Sequence, residues 1–133
     1  MPIEFFMEMK IPTVTHQEKK VHVVNGKPHY YDPESLSRAR AMFEAYLYQR
    51  KPEQPIQGPM RLCTKWIFKA NKKHPACTWK VTKPDTDNMV KLLKDCMTKV
   101  GFWKDDALVC CEMIEKMYGE KEGIYIFAEE LKV

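Results

Sequence analysis

The sequence predicts an α+β fold: a small mixed or antiparallel sheet with two helices packed on one of its faces. Apolar residues alternate over residues 60–69 as in a strand and recur at helical spacing over residues 87–100. The predicted elements follow the order strand, two-stranded ribbon, helix, strand, helix, strand, strand, which is typical of helices gathered on one side of a sheet. A length of 133 residues suits one domain, 1–133, that buries a core without disulfides.

The beginning of the chain is predicted to hold a strand and a two-stranded ribbon. Residues 3–10 alternate loosely and are rich in aromatic residues, which indicates a strand. The polar, proline-interrupted stretch 11–20 is predicted to be a loop. Asn25-Gly26 is a strong hairpin signal, so we expect short paired strands at residues 21–24 and 28–31.

The middle of the chain predicts the first helix and a long strand. Asp32-Pro33 suits an N-cap followed by a first helical residue, and apolar residues then recur at helical spacing to about Gln49. Three prolines and a glycine make residues 51–59 a loop. Alternation over residues 60–69 separates two faces, Leu62, Thr64, Trp66 and Phe68 on one and Arg61, Cys63, Lys65, Ile67 and Lys69 on the other.

A long loop and a second helix follow. Residues 70–84 are polar and basic without periodicity, and surface loops of this length are uncommon in compact domains unless they are functional. Residues 87–100 carry one continuous apolar face, and Gly101 ends the helix as a C′ glycine. Residues 102–106 are predicted to form a tight connection.

Two strands complete the predicted sheet. Residues 107–118 are expected to form the first, with Val109, Cys111 and Met113 on one face. After a glycine-bounded turn, residues 124–131 are expected to form the last strand.

The composition is that of a soluble globular protein. Hydrophobic residues make up 44% and charged residues 30%, with a net charge of +4 that is compatible with a nucleic-acid partner. No apolar run approaches the roughly 20 residues of a membrane span, and the first ten residues lack the features of a targeting peptide. Five irregularly spaced cysteines without a CxxC pair favour reduced thiols and a cytoplasmic location over disulfides or a zinc site.

The most informative stretch places two carboxylates at the mouth of the second helix. Asp85 and Asp87 stand where the helix dipole and the free N–H groups favour anions, so simple helix capping is one interpretation. Metal binding is the other, because clustered carboxylates repel each other unless a cation lies between them, and hard oxygen ligands select magnesium or manganese. Lys91, four residues after Asp87, forms either an ordinary ion pair or a positive charge beside a metal site.

A second acidic pair, Asp105-Asp106, follows Gly101 and precedes a strand. Whether this pair meets the first depends on how the strand and the helix pack, which the spacing alone leaves open.

These motifs resemble the signature of the RusA-type Holliday junction resolvases. That signature has a D-x-D-N at the start of a helix, here residues 85–88, a lysine one turn later, here Lys91, and a D-D-x-x-V after the helix, here Asp105 to Val109. The match is dense over residues 84–109. The segment at residues 15–20 departs from the proline- and arginine-rich segment that relatives often carry.

The resemblance implies a homodimer that cleaves four-way junctions or other branched DNA with Mg²⁺, and Mn²⁺ is the second candidate metal. It implies that Asp85, Asp87 and Asp106 are the metal-binding catalytic acids, that Lys91 is the essential lysine, and that Asp105 is an auxiliary carboxylate. A bacterial or phage-encoded origin is implied in the same way. The preferred cutting sequence and the number of metal ions stay open.

A basic window free of Asp and Glu precedes the acids. We expect its cations to hold DNA phosphates, the alternative being a solvated loop. They are Arg61, Lys65, Lys69, Lys72, Lys73, Lys80 and Lys83. Trp79 and Trp103 are predicted to lie in the core, in a dimer contact or against unpaired bases, with the core favoured for Trp103.

The predicted function is magnesium-dependent resolution of Holliday junctions by paired phosphodiester cuts. Two alternatives are a non-catalytic basic DNA-binding protein whose acids cap a helix, and a flap or branched-DNA nuclease that uses the same acids.

Overall fold

The computed structural model describes residues 2–13, 20–24, 27–31 and 34–132, with side chains described for 2–13 and 34–132. Two helices and six strands follow one another in the predicted order. They are β1 (Ile3–Glu8), β2 (Lys20–Val24), β3 (Lys27–Tyr31), α1 (Glu34–Tyr48), β4 (Met60–Lys69), α2 (Thr86–Val100), β5 (Val109–Gly119) and β6 (Gly123–Glu130), with a 3-10 turn at Asp106–Leu108 before β5.

Four strands form a mixed sheet in the order β1-β6-β4-β5. β6 pairs antiparallel with both β1 and β4, whereas β4 and β5 are parallel. Because parallel neighbours need a crossover, the chain leaves the end of β4, passes through α2 and returns to the start of β5. The predicted α+β class, with a mixed sheet and two helices, is confirmed.

The alternation predicted for β4 is also confirmed. Its buried side chains are Met60, Leu62, Thr64, Trp66 and Phe68, and those between them are exposed or half-buried. Phe43 of α1 meets Trp66 edge-on, with ring centroids 6.3 Å apart. α2 lies beside α1, and an ion pair joins Lys99 of α2 to Glu44 of α1 at 3.0 Å. Both helices therefore cover the same face of the sheet.

Helix α2 is amphipathic and ends where the sequence predicts. Its buried residues are Met89, Val90, Leu92, Leu93, Cys96 and Met97. Gly101 has φ 102°, a left-handed conformation that strains any residue with a Cβ, and its N–H bonds the carbonyls of Met97 and Thr98. Trp103 is buried, as predicted, and its indole N–H donates to Thr98 Oγ1 at 2.7 Å.

The start of β5 differs from the prediction. The strand begins at Val109 rather than at residue 107, because the preceding residues form the 3-10 turn. The register also shifts, since Met60 pairs with Val109 but Arg61 pairs with Cys111. This bulge reverses the side-chain alternation. Val109 packs against the core while Cys111 and Met113 are exposed, so the prediction that all three share one face is wrong for Val109.

In the first part of the chain, β2 and β3 pair antiparallel as the predicted ribbon. The predicted turn Asn25-Gly26, the N-cap Asp32-Pro33 and most of the predicted loop, residues 14–19, lie outside the described residues. Within the described part of the chain, neither helix is long and apolar enough to cross a membrane.

A single core hydrogen bond gives a test of this packing. The indole N–H of Trp66 donates to Thr64 Oγ1 at 2.9 Å, and both residues are buried. Thr64→Val keeps the side-chain shape but leaves the N–H without an acceptor, which should lower the free energy of unfolding by about 1–3 kcal/mol. Urea denaturation measures this change.

The matched control is Thr78→Val, since Thr78 is exposed and water replaces its lost hydrogen bond. Its effect should stay within about 0.5 kcal/mol. Equal effects of the two variants would show that the buried pair contributes nothing specific.

Candidate active site at the start of helix α2

Asp85 occupies the N-cap position of α2 without acting as a cap through its side chain. Its backbone is extended, with φ −68° and ψ 148°, and its carbonyl accepts the N–H of Met89 at 3.0 Å. The carboxylate makes no capping hydrogen bond and is exposed. Asp87 is exposed in the first turn of the same helix. Helix capping therefore does not account for the Asp85 side chain.

Lys91 lies one turn after Asp87 on α2 and is exposed. Among the described side chains no ion pair joins the Lys91 ammonium to Asp87, so the simple ion pair that the spacing allows is not formed. Two carboxylates and one ammonium thus stand together at the positive end of the helix dipole, all open to solvent.

The two residues of the second acidic pair, Asp105 and Asp106, make different contacts. Asp105 is the N-cap of the 3-10 turn, where its Oδ1 accepts the N–H of Ala107 at 2.9 Å. Asp106 is half-buried, and its carboxylate makes no hydrogen bond or ion pair with a described residue. Asp105 therefore has a local structural task, while Asp106 is available to a ligand.

One chain does not bring Asp106 to the acids of α2. The helix runs antiparallel to β5, because Lys94 meets Glu112 at 3.0 Å and Pro84, before the helix, meets Lys116 at 2.7 Å. Asp85 thus lies at the level of Lys116, whereas Asp106 precedes the strand.

The spacing along β5 gives the size of this separation. From Val109 to Lys116 the strand advances about 23 Å, so the two acidic positions lie at opposite ends of α2. Consistent with this, the described residues contain no group of three or more His, Cys, Asp or Glu side chains that could hold a metal ion.

The basic loop that precedes Asp85 is docked on the free edge of β5. The N–H of Cys77 and the carbonyl of Thr78 both bond Tyr118, each at 2.9 Å, and the N–H of Lys80 donates to the Lys116 carbonyl at 3.1 Å. This segment pairs like a short extra strand, where the sequence predicts an irregular loop.

Lys116 then fixes the last residues before the helix. Its half-buried ammonium donates to the carbonyls of Thr82 at 2.5 Å and Pro84 at 2.7 Å. Sequence reasoning missed this residue. The available signal was its position on β5, two residues before the buried Tyr118 and therefore on the same face of the strand. A lysine ammonium on a partly buried face needs hydrogen-bond acceptors.

The predicted DNA-binding cations fall into three groups. The first group is already paired: Arg61 meets Glu129 at 2.8 Å and Lys65 meets Glu115 at 3.9 Å, on the helix-free face of the sheet. Lys69 donates to the Glu120 carbonyl at 2.6 Å.

Lys80 forms the second group. Its ammonium lies 4.9 Å from the ring centroid of Phe68 and 5.3 Å from that of Tyr118, on the helix side of the sheet. The third group is exposed and forms no ion pair with a described carboxylate. It consists of Lys72, Lys73 and Lys83.

The tryptophans and cysteines have separate environments. Trp66 and Trp103 are 1% exposed, but Trp79 is 63% exposed on the docked loop. Burial raises the pKa of the Cys96 thiol to about 12, so this cysteine is an uncharged core residue.

Comparisons with known proteins identify the family of this chain. The family model described as "Endodeoxyribonuclease RusA" matches residues 10–129. The "Crossover junction endodeoxyribonuclease rusA" of Lactococcus phage r1t is 31% identical over 134 residues, which covers 98% of this chain and all of the phage protein. The "Uncharacterized protein YqaN" of Bacillus subtilis (strain 168) is 28% identical over 119 residues, or 80% of this chain and 82% of that protein.

The family match spans most of the chain, including α2, both acidic pairs and the docked loop. The chain therefore belongs to the RusA family of endodeoxyribonucleases, enzymes that act on DNA phosphodiester bonds.

Proposed function

We propose that this endonuclease resolves Holliday junctions with magnesium, by paired cuts made from a homodimer. The observation that carries the proposal is the start of α2. Two exposed carboxylates lie there, one turn before Lys91, and the N-cap carboxylate makes no capping hydrogen bond. A lysine-bearing loop docked on β5 leads directly into this helix. The crossover-junction activity in the name of the phage relative supports the choice of substrate.

The donor chemistry fits a divalent ion. Magnesium typically takes one or two protein carboxylates and fills its remaining positions with water and substrate phosphate. Asp85 and Asp87 supply such a pair on one chain, and we assign Asp106 as a further ligand. A divalent ion held there would activate water and stabilise charge on the phosphate during hydrolysis. Manganese accepts the same oxygen ligands.

The protein groups around these acids bind and orient the phosphate. The Lys91 ammonium stabilises negative charge that develops on the phosphate oxygens, and the free N–H groups of the first helical turn attract the same anion. Asp105 keeps the 3-10 turn in place through its bond to Ala107, which fixes the backbone of Asp106. We assign Asp105 this auxiliary role.

DNA is held by the cations that have no protein partner. We propose that Lys72, Lys73 and Lys83 contact phosphates beside the acids, since each neutralised phosphate releases counterions and strengthens binding. Arg61, Lys65 and Lys69 would extend this contact only by exchanging protein oxygens for phosphate oxygens. Lys80 instead holds the loop against Phe68 and Tyr118, so we assign it a structural role.

Junction cleavage tests the proposal directly. Purified protein should cut a four-way junction in magnesium, leave a linear duplex of the same sequence largely uncut, and cut neither DNA in chelator. Gel analysis of end-labelled strands measures this. Equal cutting of duplex and junction, or preferential cutting of a flap, would rule out the resolvase and identify a nuclease of another preference.

The ligand role of Asp87 gives a second test. Asp87→Asn removes a metal-binding charge but keeps the shape, so cutting should be abolished while junction binding in a gel-shift assay stays within a few-fold. Glu8→Gln, a change at an exposed acid on β1 at the opposite edge of the sheet from β5, is the control and should cut normally. Loss of binding together with cutting would point to a structural role for Asp87.

The hydrogen bonds from Lys116 to the carbonyls of Thr82 and Pro84 give a third test. Lys116→Met removes both hydrogen bonds that fix Thr82 and Pro84, and small displacements of reacting groups cost up to about a hundredfold in rate. We expect the single-turnover cutting rate to fall about tenfold or more, with a higher magnesium concentration needed for half-maximal rate. Junction affinity and melting temperature should change little.

Two further variants make this test specific. Lys116→Arg keeps donors at the same place and should recover much of the rate. Lys121→Met, which breaks an exposed contact to Glu8 at 3.7 Å, should behave like the unmodified protein. A parallel loss of affinity, rate and stability in Lys116→Met would indicate a general folding role.

A further inference from the structure

Trp79 is the tryptophan that the fold does not use. Trp66 and Trp103 are 1% exposed, and the indole N–H of each donates to a threonine hydroxyl. Trp79 is 63% exposed, and its indole makes no hydrogen bond and no ring or cation contact with a described residue. Aromatic side chains normally contribute through the area that they bury, so this ring is available to a ligand.

The backbone of Trp79 is held in place although its ring is free. It belongs to the segment that pairs with the outer edge of β5. Before it, the Thr78 carbonyl accepts the Tyr118 N–H at 2.9 Å, and after it, the Lys80 N–H donates to the Lys116 carbonyl at 3.1 Å. The indole therefore projects from a fixed base, so a ligand that binds to it orders little further backbone.

The indole and the acids of α2 lie on opposite faces of this sheet edge. Trp79 stands directly opposite Met117, and directly opposed residues of an antiparallel pair project to the same face. Met117 alternates with the buried Tyr118, so that face is the helix-free one. Asp85 begins α2, which covers the other face. A DNA strand that reaches both must therefore turn around the edge.

The ring lies close enough to the acids for one DNA molecule to contact both. Trp79 precedes Asp85 by six residues, so their Cα atoms lie at most about 22 Å apart. That distance corresponds to about six steps of duplex DNA at roughly 3.4 Å each. Trp79 is thus placed to contact DNA within about half a helical turn of a phosphate at the acids.

The charge around Trp79 favours a polyanion. Residues 70–84 contain four lysines and no Asp or Glu. On the face of the indole, the nearest carboxylate of β5 is Glu115, and Lys65 pairs with it at 3.9 Å. DNA phosphates would neutralise the exposed ammonium groups, whereas an apolar partner would have to bury them. Those that form no ion pair with a described carboxylate are Lys72, Lys73 and Lys83.

We propose that Trp79 stacks on an unstacked nucleobase at the branch of the DNA and so favours branched DNA over duplex. Every nucleobase has a π-face that an aromatic ring can stack on. In a duplex neighbouring bases cover these faces, whereas a branch point interrupts the stack. The interruption also lets a strand turn around the sheet edge, which a stiff duplex resists. The choice of branched DNA as the ligand rests on the proposed function.

Fluorescence observes the stack without cleavage, because Trp79 is the exposed one of three tryptophans. In chelator, a four-way junction should quench the native emission and shield the remainder from acrylamide. A linear duplex of the same sequence, bound to the same extent, should do neither. Trp79→Phe leaves only the two buried tryptophans and is the spectral control, which no DNA should change. Equal quenching by duplex, or shielding that appears without DNA as the protein concentration rises, overturns the inference.

Substitutions separate stacking from charge. Trp79→Leu keeps an apolar side chain without a π-face, so junction affinity in chelator should fall about tenfold and duplex affinity less than about twofold. Its salt dependence should not change, because no phosphate contact is lost. Trp79→Phe keeps an aromatic face and should recover most of the affinity. Val81→Ala, at an 89% exposed residue of the same loop, is the matched control and should bind like the native protein.

The melting temperature of Trp79→Leu should match that of the native protein, because an exposed ring contributes little to the core. A lower melting temperature with equal losses of junction and duplex affinity would show a structural role and overturn the inference.

These results separate the inference from the proposed function. If the native protein cuts junctions in magnesium and Trp79→Leu binds them with native affinity, the stack is overturned and the resolvase stands. Selective quenching by branched DNA that the protein never cuts supports the stack and overturns the proposed function. A protein that binds neither DNA overturns both.

Discussion

The parallel pairing of β4 with β5 is the constraint on which the rest of the molecule depends. Parallel neighbours cannot be joined by a tight turn, so the chain must return through a crossover, here α2 and the loop before it. The return buries the apolar face of α2 against the sheet and directs its N-terminus toward the end of β5. It also places the two acidic motifs at opposite ends of one helix. Thus the same pairing stabilises the core and separates the two acidic motifs.

The charges at the start of α2 have few protein partners. Elsewhere on the surface, carboxylates and cations meet in pairs, such as Arg61 with Glu129. Around Asp85 and Asp87 the described structure offers no such partner, although the helix dipole keeps the anions favourable. Lys116 could have supplied a cation, but its ammonium is bound to two carbonyls. The fold therefore leaves the carboxylate oxygens of Asp85 and Asp87 exposed, as the proposed binding of a divalent ion requires.

Much of the fold follows from the sequence because the signals are local. Strict alternation predicts β4, and Gly101 ends α2 because left-handed φ suits glycine. The start of β5 does not follow, since Cys110 is an extra residue that periodicity cannot reveal. Of the site, the acids and Lys91 are recognisable as a motif. The distance between Asp106 and the acids of α2 depends on strand pairing, and the role of Lys116 depends on the path of a loop. Neither can be predicted from the spacing of residues along the sequence.

An open edge in a folded enzyme calls for a physical reason, because such an edge also invites aggregation. The loop that ends at Asp85 covers part of β5 and stops at residue 116, so closing the remaining edge with this loop would draw Asp85 away from Lys116. The docked loop therefore covers only the part of the edge that it can reach while Lys116 still holds Pro84 beside Asp85. The position of the acids at the start of α2 and the open edge of β5 are thus two consequences of one loop path.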